Sequence, residues 1–165
     1  MIDVTVTGVI LEPQSKAPIV LLKDSEDRRA LLIWVGEFEA NAIAMALEQV
    51  PTPRPLTHDL LLNATGALGA RLVEVRISDM RESTFFAELV FEAEGRQQVV
   101  DARPSDAIAL ALKAGVPLKA AEQVMESSAV PISHAKEDEE ESEQFRKFLE
   151  NVKPSDFGKF GGSPS

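Results

Sequence analysis

Cysteine is missing from this chain of 165 residues. That absence removes disulfides, thiolate metal ligands and cysteine nucleophiles together. Tyrosine is missing too, and the aromatics are one Trp and eight Phe, a poor provision for a sheet that stacks RNA bases. Only His58 and His134 offer imidazole, too few for a multi-histidine zinc site. Long apolar runs are lacking as well. The longest, 30–35 and 107–112 among them, have six residues each, far short of the ~20 that a membrane span needs. Residues 1–12 show no basic leader, so the expectation is a cytoplasmic protein with no membrane partner. Bases are in the minority, 17 Lys and Arg against 27 Asp and Glu, for a formal net charge of −10. Broad electrostatic attraction to nucleic acid is not expected at that balance.

What is present is enough for a packed core. Apolar residues make up 44% of the chain, and the length suits one ordinary domain. The composition divides near residue 133. Residues 134–165 hold eight acids and five bases, which leaves the body, 1–133, at net −7. The tail reads as an acidic linker over 137–141, then an amphipathic helix with Phe145, Phe148, Leu149 and Val152 on one face, then a disordered end. Segment 143–153 is a candidate site for a protein partner. Docking back on its own domain is the alternative.

In the body, alternation at Ile2, Val4 and Val6 predicts a strand over 2–11. Strands follow over 18–23 and 30–35, then a helix over 37–50 that three prolines at 51, 53 and 55 end. A second helix starts near Thr57. Three more strands, 71–78, 84–92 and 97–102, lead into a helix over 105–114, closed by Gly115 and Pro117. A short strand or helix pair fills 118–130. Two antiparallel-looking runs of strands, each followed by helix, predict an α+β fold: a mixed, largely antiparallel sheet packed with three main helices, plus the C-terminal amphipathic helix. No G-x-G-x-x-G or Walker A fingerprint is present, and no organic cofactor is called for.

Two related segments carry the most chemistry: Arg54-Pro55-Leu56-Thr57-His58-Asp59 and Arg103-Pro104-Ser105-Asp106. Each sets Arg-Pro ahead of a hydroxyl residue, an Asp and an apolar helical run. Thr57 and Ser105 are placed to N-cap their helices, and Asp59 and Asp106 to face the positive end of the helix dipole. Asp101 falls on the same strand face as Arg103 if the strand continues. Two readings stay open. In one, Arg–Asp pairs lock two capped helices together. In the other, the helix starts converge on a phosphate site. There Arg54 and Arg103 bind the anion, with Thr57 and Ser105 beside it, and His58 moves a proton. Asp59, Asp101, Asp106 and Glu39 then offer oxygen ligands suited to Mg²⁺ or Mn²⁺. A Ser105–His58–Asp101 triad can be drawn on paper, without a G-x-S-x-G elbow to support it.

Four blocks in order resemble the bifunctional nuclease domain family. They are Leu21-Leu22-Lys23-Asp24, Ile33-Trp34-Val35-Gly36 with Glu39-Ala40 and Ala42-Ile43, the stretch from Arg54 to Leu60, and the stretch from Asp101 to Leu110. The resemblance spans about 3–131. It implies a compact α+β domain with DNase and RNase activity, DNA or RNA as substrate, and self-association into a homo-oligomer. The residues it carries over are Arg54, His58, Asp59, Asp101, Arg103, Ser105 and Asp106, with Glu39 in support. One departure is visible: Ala30-Leu31-Leu32 stands where Leu-Pro is expected before the Ile-Trp-Val-Gly block. A non-catalytic oligomeric module acting through its C-terminal helix is the alternative function.

Overall fold

The structure, a computed structural model, describes residues 1–132. The tail calls, including the acidic run, the 143–153 helix and His134, lie outside the described residues. Strands β1 (Ile2–Leu11), β2 (Pro18–Asp24) and β3 (Arg29–Trp34) lead into helices α1 (Glu37–Leu47) and α2 (Thr57–Ala67). Strands β4 (Ala70–Arg81), β5 (Thr84–Ala93) and β6 (Arg96–Ala102) lead into α3 (Pro104–Ala114). Then come β7 (Leu118–Ala120), α4 (Glu122–Ser128) and β8 (Val130–Pro131). The fold is α+β, as the pattern of strand runs and helices predicts.

All eight strands form one sheet in the order β6-β5-β4-β7-β1-β2-β3-β8. Each three-strand run is an antiparallel meander, and the three-residue β7 joins the two. It lies parallel to β4 and antiparallel to β1. This β4–β7 pair is the single parallel pairing among the described strands. Backbone bonds on either side hold β7 in place: Val75 N–H donates to Pro117 O, and Ala121 N–H to Ile77 O, both at 2.9 Å.

The helices share one face of the sheet with the main core. Helix α3 is central: Ala107, Ile108, Ala109, Leu110 and Ala111 are all buried. A helix apolar all round must be covered all round, and α1, α2, β4 and β5 surround this one. The same core takes Val20 and Leu22 from β2, Leu31 and Ile33 from β3, and Phe85 and Leu89 from β5. The opposite residues of β2 and β3 form a second cluster, Ile19, Leu32 and Trp34, so burial on both faces explains their unbroken apolar runs. No helix among the described residues is long and apolar enough to cross a membrane.

Several boundaries differ from expectation. Helix α1 stops at Leu47, because Gln49 takes a left-handed φ of 52° before the proline cluster. Helix α3 begins at Pro104, with Arg103 as its cap residue. Thr57 is the first helical residue of α2 and Ser105 the second of α3, so neither caps its helix. Proline sets the offset. Pro104 occupies the first helical position, where its fixed φ fits and its missing N–H costs nothing, whereas Pro55 precedes the cap residue Leu56. The two motifs look alike in sequence and sit one residue out of step.

Both hairpins of the second meander turn in two residues. Glu94-Gly95 connects β5 to β6 and Glu82-Ser83 connects β4 to β5, with positive φ at all four positions. Such primed turns favour glycine, and Ser83, at φ 61°, lacks that freedom. The left-handed region costs a side-chain-bearing residue about 1–2 kcal/mol, and glycine's extra chain entropy offsets about 0.5–1 kcal/mol of that. Ser83→Gly should therefore stabilise the protein by about 0.5–1 kcal/mol in urea unfolding. A lower midpoint would show that the turn is unstrained.

Candidate active site

The two Arg-Pro motifs do meet. His58 Nε2 lies 3.0 Å from Asp106 Oδ1. Arg103 Nε donates to Asp106 Oδ2 at 2.9 Å, and its Nη1 donates to Glu39 Oε1 at 3.1 Å. A run His58–Asp106–Arg103–Glu39 thus ties the starts of α1, α2 and α3 together. His58 is mostly buried in this pairing, and Arg103 is half exposed.

Each position has a local cause. Asp106 stands in the first turn of α3, three residues after Arg103, within reach of its guanidinium. Glu39 stands in the first turn of α1 and folds back over Gly36. A Cβ built on Gly36 would fall 2.2 Å from Glu39 Oε2. A side chain at position 36 would displace the Glu39 carboxylate from this position.

A cleft of about 190 Å³ opens beside the run. Its walls come from the end of β3 with Gly36 and Glu39, the β4–β5 hairpin from Ser83 to Phe86, and the β6–α3 junction from Asp101 to Ser105. Glu39, Asp101, Arg103 and Ser105 therefore share one opening. The strand does not continue to Arg103, yet the turn into α3 keeps Asp101 and Arg103 on the same cleft. Ser105 is buried. On the hairpin, Arg81 stacks on Phe86, its guanidinium carbon 4.1 Å from the ring centroid.

Asp59, Arg54 and Thr57 do not line this cleft, and neither do His58 and Asp106, which stand behind Arg103 in the run. Asp59 turns the other way: Oδ1 accepts from Lys113 Nζ at 2.9 Å and Oδ2 from the backbone N–H of Leu56 at 2.9 Å. Lys113, at the far end of α3, carries no signal in the sequence, being 54 positions from Asp59. Arg54 is exposed four residues before His58, with no ion pair among the described residues. The paper triad is not assembled. The hydrogen bond of His58 goes to Asp106, and neither Ser105 nor Asp101 bonds to the ring among the described residues.

Of the four carboxylates named as metal ligands, Glu39 and Asp101 line the cleft, while Asp59 and Asp106 do not. Among the described residues no three His, Asp or Glu side chains are placed to hold one ion. Asp59 is paired with Lys113, and Asp106 and Glu39 share the single charge of Arg103. As arranged, the donor set does not fit a resident Mg²⁺ or Mn²⁺.

The electrostatics follow from these pairs. Burial would raise the Asp106 carboxyl, but hydrogen bonds from Arg103 and His58 outweigh it and hold the group below its ordinary value. The Lys113 hydrogen bond, with the Leu56 N–H, lowers Asp59. Asp106 in turn raises the Arg103 guanidinium. The unfolded chain therefore takes up protons at these two carboxyls before the folded chain does. Their contribution to stability is complete above the ordinary value of 3.8 and is lost as pH falls toward the depressed values. Urea midpoints measured from pH 6 to pH 3 should fall on the acid side, and Asp59→Asn and Asp106→Asn should each flatten that fall. An unchanged slope in both variants would show that the pairs contribute nothing.

An α+β domain with Arg, His and Asp gathered at helix starts beside a cleft defines the class. The bifunctional nuclease domain model matches residues 20–133, and the chain belongs to that family. Two uncharacterized proteins of Mycobacterium tuberculosis strains are each 42% identical over 162 residues, covering 94% of this chain and 97% of the relative. Bifunctional nuclease 1 of Oryza sativa subsp. japonica is 28% identical over 116 residues, covering 67% of this chain and 35% of that protein.

Proposed function

We propose that the protein hydrolyses phosphodiester bonds in DNA and RNA with little sequence preference. Family membership and the rice relative's name support nuclease-like chemistry, and the run from His58 to Glu39, which meets the cleft at Arg103 and Glu39, carries the reading. Asp106 is ionised, so its bond to His58 requires the proton on Nε2, which leaves Nδ1 to accept a second. His58 takes a proton from the attacking water there and delivers it to the leaving oxygen, while Asp106 orients the ring and stabilises the imidazolium. Arg103 meets the phosphate at the cleft, and Arg54 offers a second cation nearby along the chain. Contacts to phosphate do not distinguish bases, which accounts for low sequence preference. The net charge of −10 keeps binding to long duplexes weak.

Purified protein incubated with single- and double-stranded DNA and RNA, with and without EDTA, tests the proposal. Cleavage that co-purifies with the protein and survives EDTA supports chemistry on the chain's own groups. Cleavage abolished by EDTA moves the reaction onto Mg²⁺ or Mn²⁺ bound in a rearranged site. No cleavage in either arm overturns the reading.

A second reading has its own observation: every Asp of the two motifs, at 59 and 106, is held by a cation. The module then serves binding or regulation, and the motifs lock its helices. It predicts that Arg103→Ala lowers stability in a parent protein that cleaves nothing.

A further inference from the structure

Helix α2 turns an apolar side outward. None of its residues is fully buried, and Leu56, Leu60 and Leu61 keep 40%, 60% and 41% of their surface in water. With the exposed Ala64 they form a stripe at spacing i, i+4, i+5 and i+8. The two ionisable residues of the helix, His58 and Asp59, are engaged elsewhere, with Asp106 and Lys113. The other outer helices expose acids. Glu37 and Glu48 are exposed at the two ends of α1, and Glu122 and Glu126 along α4. A contiguous apolar strip that carries no charge marks a docking face.

We propose that the chain's own segment 143–153 covers this face, packing as a helix through Phe145, Phe148, Leu149 and Val152. Length, charge and reach select that occupant. Leu56 to Ala64 is eight residues, about 12 Å of helix, and Phe145 to Val152 is seven, about 10.5 Å. The segment follows the acidic run 137–141. Exposed glutamates on α1 and α4 repel that run, whereas α2 exposes no acid and the exposed Arg54 stands just ahead of it.

Reach is sufficient as well. Helix α2 lies against α3 and β4, and β4 is five strand spacings from β8 in the sheet order, about 24 Å. The twelve residues 133–144 span at most about 40 Å when extended. A segment tethered at that length acts at an effective concentration of about millimolar, so it takes the face ahead of a free partner or a second copy. This inference does not depend on the hydrolytic reading.

The lack of cysteine makes the test clean, since introduced thiols are unique. In the full chain, Leu60→Cys with Leu149→Cys joins the middles of the two stripes. A short bis-maleimide should link that pair within one chain several-fold faster than Glu126→Cys with Leu149→Cys, whose first thiol sits on the exposed side of α4. Phe145→Asp with Phe148→Asp should leave the circular dichroism of the body folded and make the backbone amides of 60–66 exchange several-fold faster than in the parent. If that variant does not fold, the cross-linking comparison reads the docking by itself. Equal linking rates would leave α2 for a separate partner and overturn the proposal. Linked dimers as the main product would assign the face to a second copy and overturn it too, as would unchanged exchange in the folded double-aspartate variant.

Discussion

His58→Ala should lower phosphodiester cleavage by about 10²–10⁴-fold, the usual contribution of a positioned proton-transfer group, while leaving the fold intact. Among the described residues the ring is held by one bond, to Asp106 at 3.0 Å. Removing it opens a site at the start of α2, a helix none of whose residues is fully buried, so the core has little to lose. Asp106→Asn removes the charge and the second acceptor together. With Arg103 bonded to the amide oxygen, the amide N–H can meet His58 only if the ring proton moves to Nδ1, the atom needed as base, so kcat should fall with little change in KM. Rates equal to the parent in both variants would remove His58 and Asp106 from the chemistry. A comparable loss of activity and folded signal in His58→Ala would favour the structural-lock reading.

The largest loss of stability should come from Ile108→Ala. Ile108 is completely buried on the helix that α1, α2 and the sheet enclose, so its neighbours cannot close over the void. Such truncations cost about 2–5 kcal/mol, a large share of the ~5–15 kcal/mol that holds a domain together. Leu68→Ala provides the contrast. Leu68 is an apolar residue with 86% of its surface exposed, and its truncation should stay within about 0.5 kcal/mol. Urea unfolding of the three proteins measures both. Equal midpoints for Ile108→Ala and Leu68→Ala would mean that α3 is not the centre of the core.

Much of the secondary structure is readable locally. Alternation in 2–11, the proline cluster after α1 and Gly115 after α3 each act within a few residues, and the elements form where those signals stand. Helix starts were harder. The caps expected at Thr57 and Ser105 moved to Leu56 and Arg103 because proline position, not hydroxyl chemistry, set the first turn. The site was legible as a set of residue types and not as a set of partners. His58 and Asp106 are 48 positions apart and Arg103 and Glu39 are 64 apart. Local physics carries no information about which carboxylate meets which cation at that range. Lys113 shows the same limit, since its pairing with Asp59 depends on how α2 lies against α3.

The sequence by itself determined the absences, the acidity and the two strand runs, because composition and periodicity act residue by residue, and four ordered blocks of residues carried the resemblance to the family. Tertiary structure decided how those pieces add up. It inserted β7 between the meanders to make one sheet of eight strands. It gathered Glu39, Asp101, Arg103 and Ser105 on one cleft and turned Asp59 away from it. It also set β6 at the edge of the sheet, with six of its seven residues exposed. Each outcome depends on which surfaces of distant elements are buried together, and that is settled only when the whole core closes.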